Sequence, residues 1–201
     1  MPKPSHREKL LHVGMQVVHE RGFGGASVRD IVQAAGVPQG SFTNHFTSKE
    51  AFGLEVIDLY FANASEMMRR TLRNDDLPPL QRLRAYIDDG KDGDGQDMRN
   101  GCLFGNFTAE ANDCGDPIRL RVVEAFAEVQ ASIAYCLRAA VKAGEIAPST
   151  DCDEVAAFIV ASLQGARLLA KAQRSPLPVE RFKEVLFSSV LKRIGQAASA
   201  P

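Results

Sequence analysis

A short polar segment, VPQGSFTNHF at residues 37–46, carries side chains that can form hydrogen bonds with nucleic-acid bases. The amide of Gln39 offers the paired donor and acceptor that match the edge of adenine. Gly40 would allow the backbone to approach a ligand closely. Short hydroxyl, amide and imidazole groups that can donate to bases or phosphates follow at Ser41, Thr43, Asn44 and His45. These residue types favour a surface that reads bases over a catalytic centre.

Three helices are predicted to hold this segment in place. The first ends at Gly22, and the second lies within ASVRDIVQAAG at residues 26–36. The third is predicted to start at Pro38, because proline at the first helical position loses no hydrogen bond. Phe42 and Phe46 are four residues apart, so both would face inward, onto the second helix, and leave the polar groups exposed. Two short helices joined by a glycine-containing turn predict a helix-turn-helix.

The charge of the chain is concentrated in a way that fits this prediction. The net charge is only −1, but residues 1–49 contain six lysines and arginines against three acidic residues, and they contain all four histidines. A basic end on a slightly acidic body suggests an anionic partner for that end, although chance scatter explains the same counts. Arg29 and Lys49 flank the third helix and are the candidates to contact phosphates.

The rest of the chain is predicted to be helical, so the expected fold class is all-α. Thr47 and Glu50 match a capping box at the start of a long helix over 48–73. An acidic, glycine-rich segment at 88–101 lacks the register of a calcium loop and is predicted to be a solvated loop. Apolar residues repeat at helical spacing in five further segments, at 80–88, 102–112, 117–143, 153–172 and 178–194.

The four cysteines do not have the spacing of a metal site or a disulfide framework. They form no C-x-x-C pair and have no nearby histidine at zinc spacing, so neither a metal nor a cofactor is predicted. The N-terminal MPKPSHREKLLH lacks the apolar core of a signal peptide, and no apolar run of membrane-spanning length is seen. We therefore expect a cytoplasmic protein with reduced thiols at Cys102, Cys114, Cys136 and Cys152.

The segment SVRDIVQAAGVPQGSFTNHFTSKEAF at residues 27–52 resembles the N-terminal domain of the TetR family of transcriptional repressors. The family's usual phrase is matched by Ala35-Gly36-Val37, Gly40, Phe42, His45-Phe46 and Ser48-Lys49-Glu50. The resemblance in detail covers about residues 5–60. It implies a helix-turn-helix DNA-binding domain over 1–49, linked by the long helix to an effector-binding and dimerisation domain over 50–201.

Two positions depart from the family pattern. Relatives commonly carry a tyrosine, which usually contacts backbone phosphate, at the position of Thr43, and a larger ring at the position of Asn44. Both side chains are shorter here. Base contacts in this chain are therefore expected to differ from those of its relatives.

The resemblance also implies a two-fold dimer, which would place two recognition helices about 34 Å apart along DNA. Two apolar stripes in the last two helices would pair with their symmetry mates as a four-helix bundle, although both could instead pack within one subunit. Gly165 would permit close approach of the helices. The remaining interface candidates are Phe158, Ser162, Leu163, Ala166 and Leu169 in one stripe and Phe182, Leu186 and Val190 in the other.

A small-molecule effector is expected to bind in the body of the protein. The segment GCLFGN at 101–106 resembles a branch of the family that responds to reactive or unsaturated small molecules, some of them through a cysteine at this place. Cys102 would lie near a helix start, where the dipole favours the nucleophilic thiolate, or it is simply a small buried hydrophobe. Asn106 and Glu110 share its helix face at four-residue spacing. The other candidate pocket residues are Phe104, Phe107, Phe126, Tyr135 and Arg167.

These features predict a repressor that an effector releases from a palindromic operator, by favouring a different separation of the DNA-binding heads. An enzyme is not predicted, because no histidine lies beyond His45 and no nucleophile and base occur at useful spacing. A helical small-molecule or thiol sensor without DNA binding is the alternative, and Thr43 is the residue that favours it.

Overall fold

The computed structural model describes residues 5–89, 99–110 and 115–192, and within these ranges it contains helices and no strand. The all-α prediction is therefore confirmed for the described residues. The helices are α1 (His6–Arg21), α2 (Val28–Ala35), α3 (Ser41–His45), α4 (Lys49–Arg70), α5 (Pro79–Asp89), α6 (Leu103–Ala109), α7 (Asp116–Lys142), α8 (Cys152–Gln173) and α9 (Leu177–Val185), which continues into a π-helical turn at Leu186–Val190. Cys114 and most of the acidic, glycine-rich segment lie outside the described residues.

Local signals set the ends of the first helices. Ser5 and Glu8 form a complete capping box ahead of α1, and Ser27 and Asp30 form another ahead of α2. Gly36 ends α2 in the left-handed conformation, with φ 60° and ψ 39°, which glycine adopts without steric cost. The predicted first and second helices are therefore confirmed.

The predicted start of the third helix and the predicted cap of the long helix are wrong. The third helix begins at Ser41 and not at Pro38, because the Pro38 carbonyl instead accepts a hydrogen bond from the Ser41 amide at 2.9 Å and closes a turn. The long helix is capped by Ser48 and not by Thr47, since the Ser48 hydroxyl accepts from the Ala51 amide at 3.0 Å.

The chain divides into two compact units. The first contains Met1–Asn63 and Leu103–Ala125, and the second contains Ala64–Cys102 and Phe126–Pro201. Each unit has its own buried apolar core: the first includes Leu10, Ile31, Phe52, Val56, Leu103, Phe107 and Ile118, and the second includes Leu72, Leu83, Ile87, Ile133, Leu137, Ile159 and Leu163. The boundary predicted at residue 49 divides the chain by role instead, and it stays a prediction.

The helix α8 is unusual in its composition. Among the described residues it is the one helix long and apolar enough to span a membrane, judged by length and hydropathy only. The core helix of a soluble protein passes the same test, so this is weak evidence for a membrane. The apolar character of α8 has another explanation in its two apolar faces, described below.

Candidate nucleic-acid interface

An aromatic cluster fixes the orientation of α3. The rings of Phe42 and Phe46 are buried, and their centroids lie 5.3 Å and 5.0 Å from the ring of Phe52 on α4. Phe52 reaches this position because α1 has no side chain at Gly14, where a Cβ atom would lie 2.5 Å from Phe52 Cζ. The sequence correctly predicts that Phe42 and Phe46 face inward, but their ring partner is Phe52 on the helix that follows.

The outer face of α3 and its preceding turn are polar and exposed. Gln39, Gly40, Thr43, Asn44 and His45 are all exposed. The Thr43 hydroxyl donates to the Gly40 carbonyl at 3.1 Å, so this short side chain is held close to the helix. The exposed set can offer amide, hydroxyl and imidazole groups to a groove.

Ser41 was predicted to contact DNA, and that prediction is wrong for this structure. Its side chain is buried, with 6% exposure, and its hydroxyl lies 3.4 Å from Nδ1 of His6 on α1. The first residue of α3 therefore faces α1. Ser41 therefore helps to anchor α3 and is not available to a base.

The two predicted phosphate contacts differ in their surroundings. Arg29 is exposed, and among the described residues no acidic side chain forms an ion pair with it. Lys49, by contrast, donates to the Gly24 carbonyl at 3.4 Å and lies 4.7 Å from the centroid of the Phe23 ring. In this structure Lys49 holds the turn between α1 and α2, whereas the guanidinium of Arg29 is open to an anion.

Other basic groups of the first unit are engaged in ion pairs. Arg7 pairs with Glu55 at 2.5 Å, and Arg21 pairs with Asp30 at 2.9 Å. Hydrogen bonds from Ser27 lower the pKa of Asp30 from its ordinary value, and Arg21 adds to this effect. Asp30 is therefore firmly ionised at the start of α2, where the helix dipole favours a negative charge.

Four of the predicted effector-pocket residues lie in the first unit and contact its helices. Phe104 stacks edge-on against Tyr60 at 4.9 Å, and Phe107 packs at 5.3 Å from Phe23. The Asn106 amide donates to the His19 carbonyl at 3.5 Å. Glu110 accepts hydrogen bonds from the backbone amides of Phe23 and Gly24. These four residues join α6 and the residue after it to α1, α4 and the α1–α2 turn within the first unit, so the rings and polar groups are already used in packing.

The other four pocket candidates, Cys102, Phe126, Tyr135 and Arg167, belong to the second unit. Tyr135 does not line an interior site, because its side chain is exposed and its hydroxyl donates to Asp75 at about 3.0 Å. That hydrogen bond raises the pKa of Tyr135. Phe126 and Arg167 are half-buried. The prediction that all eight residues form one pocket is therefore not supported within either unit.

Sequence reasoning missed Tyr86, a buried phenol of the second unit. Burial raises the pKa of Tyr86, while the nearby guanidinium of Arg167 works against the rise and the Cys102 thiol adds to it. Tyr86 lies on α5 between Leu83 and Ile87, and all three are buried. The signal was available, because a tyrosine in an apolar stripe at three- and four-residue spacing marks a polar atom inside the core.

The segment before α6 also has cationic neighbours. Gly101 has φ 71°, and a Cβ atom there would lie 3.2 Å from Cδ of Lys171. Arg167 and Lys171 are four residues apart on α8, so they share one face of that helix. The Cys102 thiol is buried. Burial raises the pKa of another thiol of this unit, Cys136, to about 12.

The helix α8 has two apolar faces. Leu163 and Ala166 are buried within the subunit, as is Leu186 at the end of α9, so the prediction that these three face a partner is wrong. Phe158 is 49% exposed and Leu169 is 53% exposed, and Gly165 lies between them on the outer face with no atom near its missing Cβ. Half-buried positions complete the predicted set at Ser162, Phe182 and Val190. Leu168 and Val185 are also exposed, and of these two sequence reasoning missed Leu168.

Two protein-family models match this chain, and one of them includes the helices of the candidate interface. A family model described as "Bacterial regulatory proteins, tetR family" matches residues 10–56, and one described as "Tetracyclin repressor-like, C-terminal domain" matches residues 79–186. The first match contains α2, α3 and the start of α4. The second covers more than half of the chain.

Individual relatives extend over nearly the whole chain. The HTH-type transcriptional repressor DhaR of a Mycobacterium species is 36% identical over 194 residues, which is 95% of each chain. The transcriptional regulator AcuR of Cereibacter sphaeroides is 30% identical over 176 residues, covering 87% of this chain and 80% of its own length. The crystal structure of a regulatory protein TetR from Rhodobacter sphaeroides superposes with a TM-score of 0.85 at 28% identity, over 95% of this chain and 97% of that one.

Proposed function

The chain belongs to the TetR family of bacterial regulatory proteins, and from this premise we propose which residues read DNA, form the dimer and bind the effector. It is a ligand-responsive transcriptional repressor that binds DNA as a dimer. The observation that carries the proposal is the exposed polar face of α3 on a buried aromatic platform. A helix anchored in this way can enter a major groove about 12 Å wide without losing its orientation.

In the proposed complex, α3 and the turn before it read the operator through four exposed side chains. Gln39 contacts an adenine edge, and Thr43, Asn44 and His45 contact bases or phosphates. Arg29 binds backbone phosphate, because its guanidinium is exposed and is not paired with an acid among the described residues. The alternative of a sensor that does not bind DNA is disfavoured, since these groups face outward even though Thr43 and Asn44 are short.

The proposed dimer interface is the outer face of α8 together with α9. Exposed apolar side chains on this face would be covered by the same face of a second copy, and Gly165 would let the two α8 helices approach closely. Such an isologous contact places two α3 helices on a palindromic operator. The face is formed by Phe158, Gly165, Leu168, Leu169 and Val185.

The proposed effector site surrounds Cys102, Tyr86 and Arg167 in the second unit. A phenol hydroxyl and a guanidinium can both donate to a carbonyl or carboxylate oxygen. The thiolate of Cys102 would add to the carbon–carbon double bond of an unsaturated effector, with a proton taken up at the neighbouring carbon. DNA release follows if the liganded chain favours a form that binds the operator less well. We place this action in the cytoplasm, where the operator is.

The test begins with duplexes selected from a random pool by the full-length chain. Fluorescence anisotropy then compares the selected duplex with a scrambled one over a range of salt concentrations. We expect tight, strongly salt-dependent binding to the selected duplex, and Gln39→Ala should change the preferred sequence at one position of each half-site. Failure of the chain to enrich any sequence would refute the proposal, and a uniform loss for Gln39→Ala would remove that residue from the base-reading set.

The effector site is tested with N-ethylmaleimide as an unsaturated probe. Adduct formation is followed by mass spectrometry, and release of the selected duplex is followed by anisotropy. Cys102→Ser should remove both the adduct at this position and the release, whereas Cys136→Ser should preserve them. Release that persists in Cys102→Ser would show that the thiol has no part in sensing.

A further inference from the structure

The turn between α1 and α2 is held by a carboxylate from a distant part of the sequence. The amide of Phe23 donates to Oε1 of Glu110 at 3.2 Å, and the amide of Gly24 donates to Oε2 at 2.5 Å. Glu110 follows the last residue of α6, and it belongs to the same compact unit as the turn. Both oxygens of one carboxylate are thus used to bind two successive backbone groups.

The backbone of the turn makes room for this carboxylate. Gly22 has φ 80°, and a Cβ atom at that position would lie 2.3 Å from Oε1 of Glu110. Any side chain at residue 22 would therefore meet the carboxylate oxygen, in addition to the strain of that backbone conformation. The close approach of Glu110 depends on glycine at this point.

Further contacts to the turn come from Lys49 and Phe107. Lys49 donates to the Gly24 carbonyl at 3.4 Å, and the buried Phe23 ring lies 4.7 Å from the Lys49 ammonium and 5.3 Å from the ring of Phe107. The turn is therefore held by one anion at its amides and by one cation at its carbonyl. Hydrogen bonds to charged groups are stronger than those between neutral groups, so the two hydrogen bonds to Glu110 restrain the turn more than an ordinary loop contact would.

The position of this turn bears directly on α3. The turn leads into α2, and both α2 and α3 pack against α1. We propose that Glu110 is a positioning residue for DNA reading: its carboxylate fixes the α1–α2 turn and thereby sets the orientation in which α2 presents α3 to the bases. This inference rests on the DNA-binding function proposed above.

A positioning role predicts a loss of discrimination and not merely a loss of binding. Non-specific binding depends on phosphate contacts, which tolerate small rotations of the head, whereas base contacts depend on the placement of α3. A residue that only stabilises the fold would reduce both kinds of binding in proportion to the folded fraction. The ratio of affinities for selected and scrambled duplexes therefore separates the two roles.

The experiment compares Glu110→Gln and Glu110→Ala with the unaltered full-length chain. We expect the affinity ratio to fall about tenfold in Glu110→Gln, which corresponds to the weakening of one charge-assisted hydrogen bond. Hydrogen exchange at the Gly24 amide should become faster by a similar factor, while the affinity for scrambled DNA changes little. Glu110→Ala should lower the ratio at least as much.

Asp58→Asn is the matched control, because it removes one negative charge from the same unit at a carboxylate that pairs with Arg121 at 2.7 Å. It should leave the affinity ratio unchanged. An unchanged ratio in both Glu110 variants would overturn the inference, and so would unfolding of both variants at the assay temperature, which would show a structural role. If the unaltered chain itself does not discriminate between duplexes, it is the proposed DNA-binding function that fails.

Discussion

Removal of the Arg29 guanidinium should change the salt dependence of DNA binding by a calculable amount. Arg29 is exposed and makes no ion pair with a described acidic residue, so we assign one phosphate contact to each copy. Each contact that is lost lowers the slope of log affinity against log salt by about 0.9, and a dimer loses two, or about 1.8. Between 50 and 200 mM salt, the unaltered chain should therefore lose about 12-fold more affinity than Arg29→Ala does.

The measurement is anisotropy on the selected and scrambled duplexes at four or more salt concentrations. Because phosphate contacts carry no sequence information, Arg29→Ala should weaken binding to both duplexes by similar factors. Arg138→Ala serves as the control of equal charge change, since Arg138 pairs with Asp153 at 3.0 Å in the second unit. An unaltered slope for Arg29→Ala would show that this side chain does not contact phosphate, and an equal change in both variants would show a net-charge effect.

Three further predictions concern packing, assembly and thiol chemistry. Gly14→Ala should destabilise the fold by up to about 2 kcal/mol, because overpacking against Phe52 costs about 1–3 kcal/mol and the helix gains only about 1 kcal/mol from alanine. Urea unfolding measures this, and a stabilised variant would contradict the close contact. Phe158→Asp should dissociate the dimer, as measured by sedimentation velocity, whereas Leu120→Asp, at an equally exposed residue, should not. A dimer that persists in Phe158→Asp would exclude the outer face of α8 as the interface. The thiol of Cys136 should resist alkylation by iodoacetamide at pH 8 in the native protein, since its pKa of about 12 keeps it protonated at that pH. The same thiol should react after denaturation. Rapid labelling of the native protein would contradict the burial of Cys136.

The parts of the fold that sequence reasoning predicted correctly depend on neighbouring residues. The capping box of Ser27 and Asp30 and the left-handed Gly36 are local signals, and they placed α2 correctly. The start of α3 was predicted wrongly because Pro38 suits both a first helical position and a turn. The hydrogen bond from the Ser41 amide to the Pro38 carbonyl closes a turn, so the helix starts after it. The burial of Ser41 then depends on His6, which lies 35 residues away in the sequence.

The candidate site was predicted well where one helix sufficed and poorly where several elements meet. Gln39, Asn44 and His45 are exposed as expected, because the burial of Phe42 and Phe46 decides which side of this segment faces outward. The partner of Glu110 could not be read from the sequence, since the turn that it holds is more than 80 residues away. Periodicity also could not separate the faces of α8, because both the inner Leu163 and the outer Leu169 are apolar.

In the helix-turn-helix, the aromatic residues that stabilise the fold beneath α3 are different from the residues proposed to contact the operator. Phe42, Phe46 and Phe52 are buried, whereas the side chains at positions 39, 43, 44 and 45 face outward. Exposed substitutions usually change the free energy of unfolding by less than about 0.5 kcal/mol. A combinatorial library at these four positions could therefore sample many operator sequences on a constant scaffold, which makes this chain a suitable starting point for regulators with reassigned promoters.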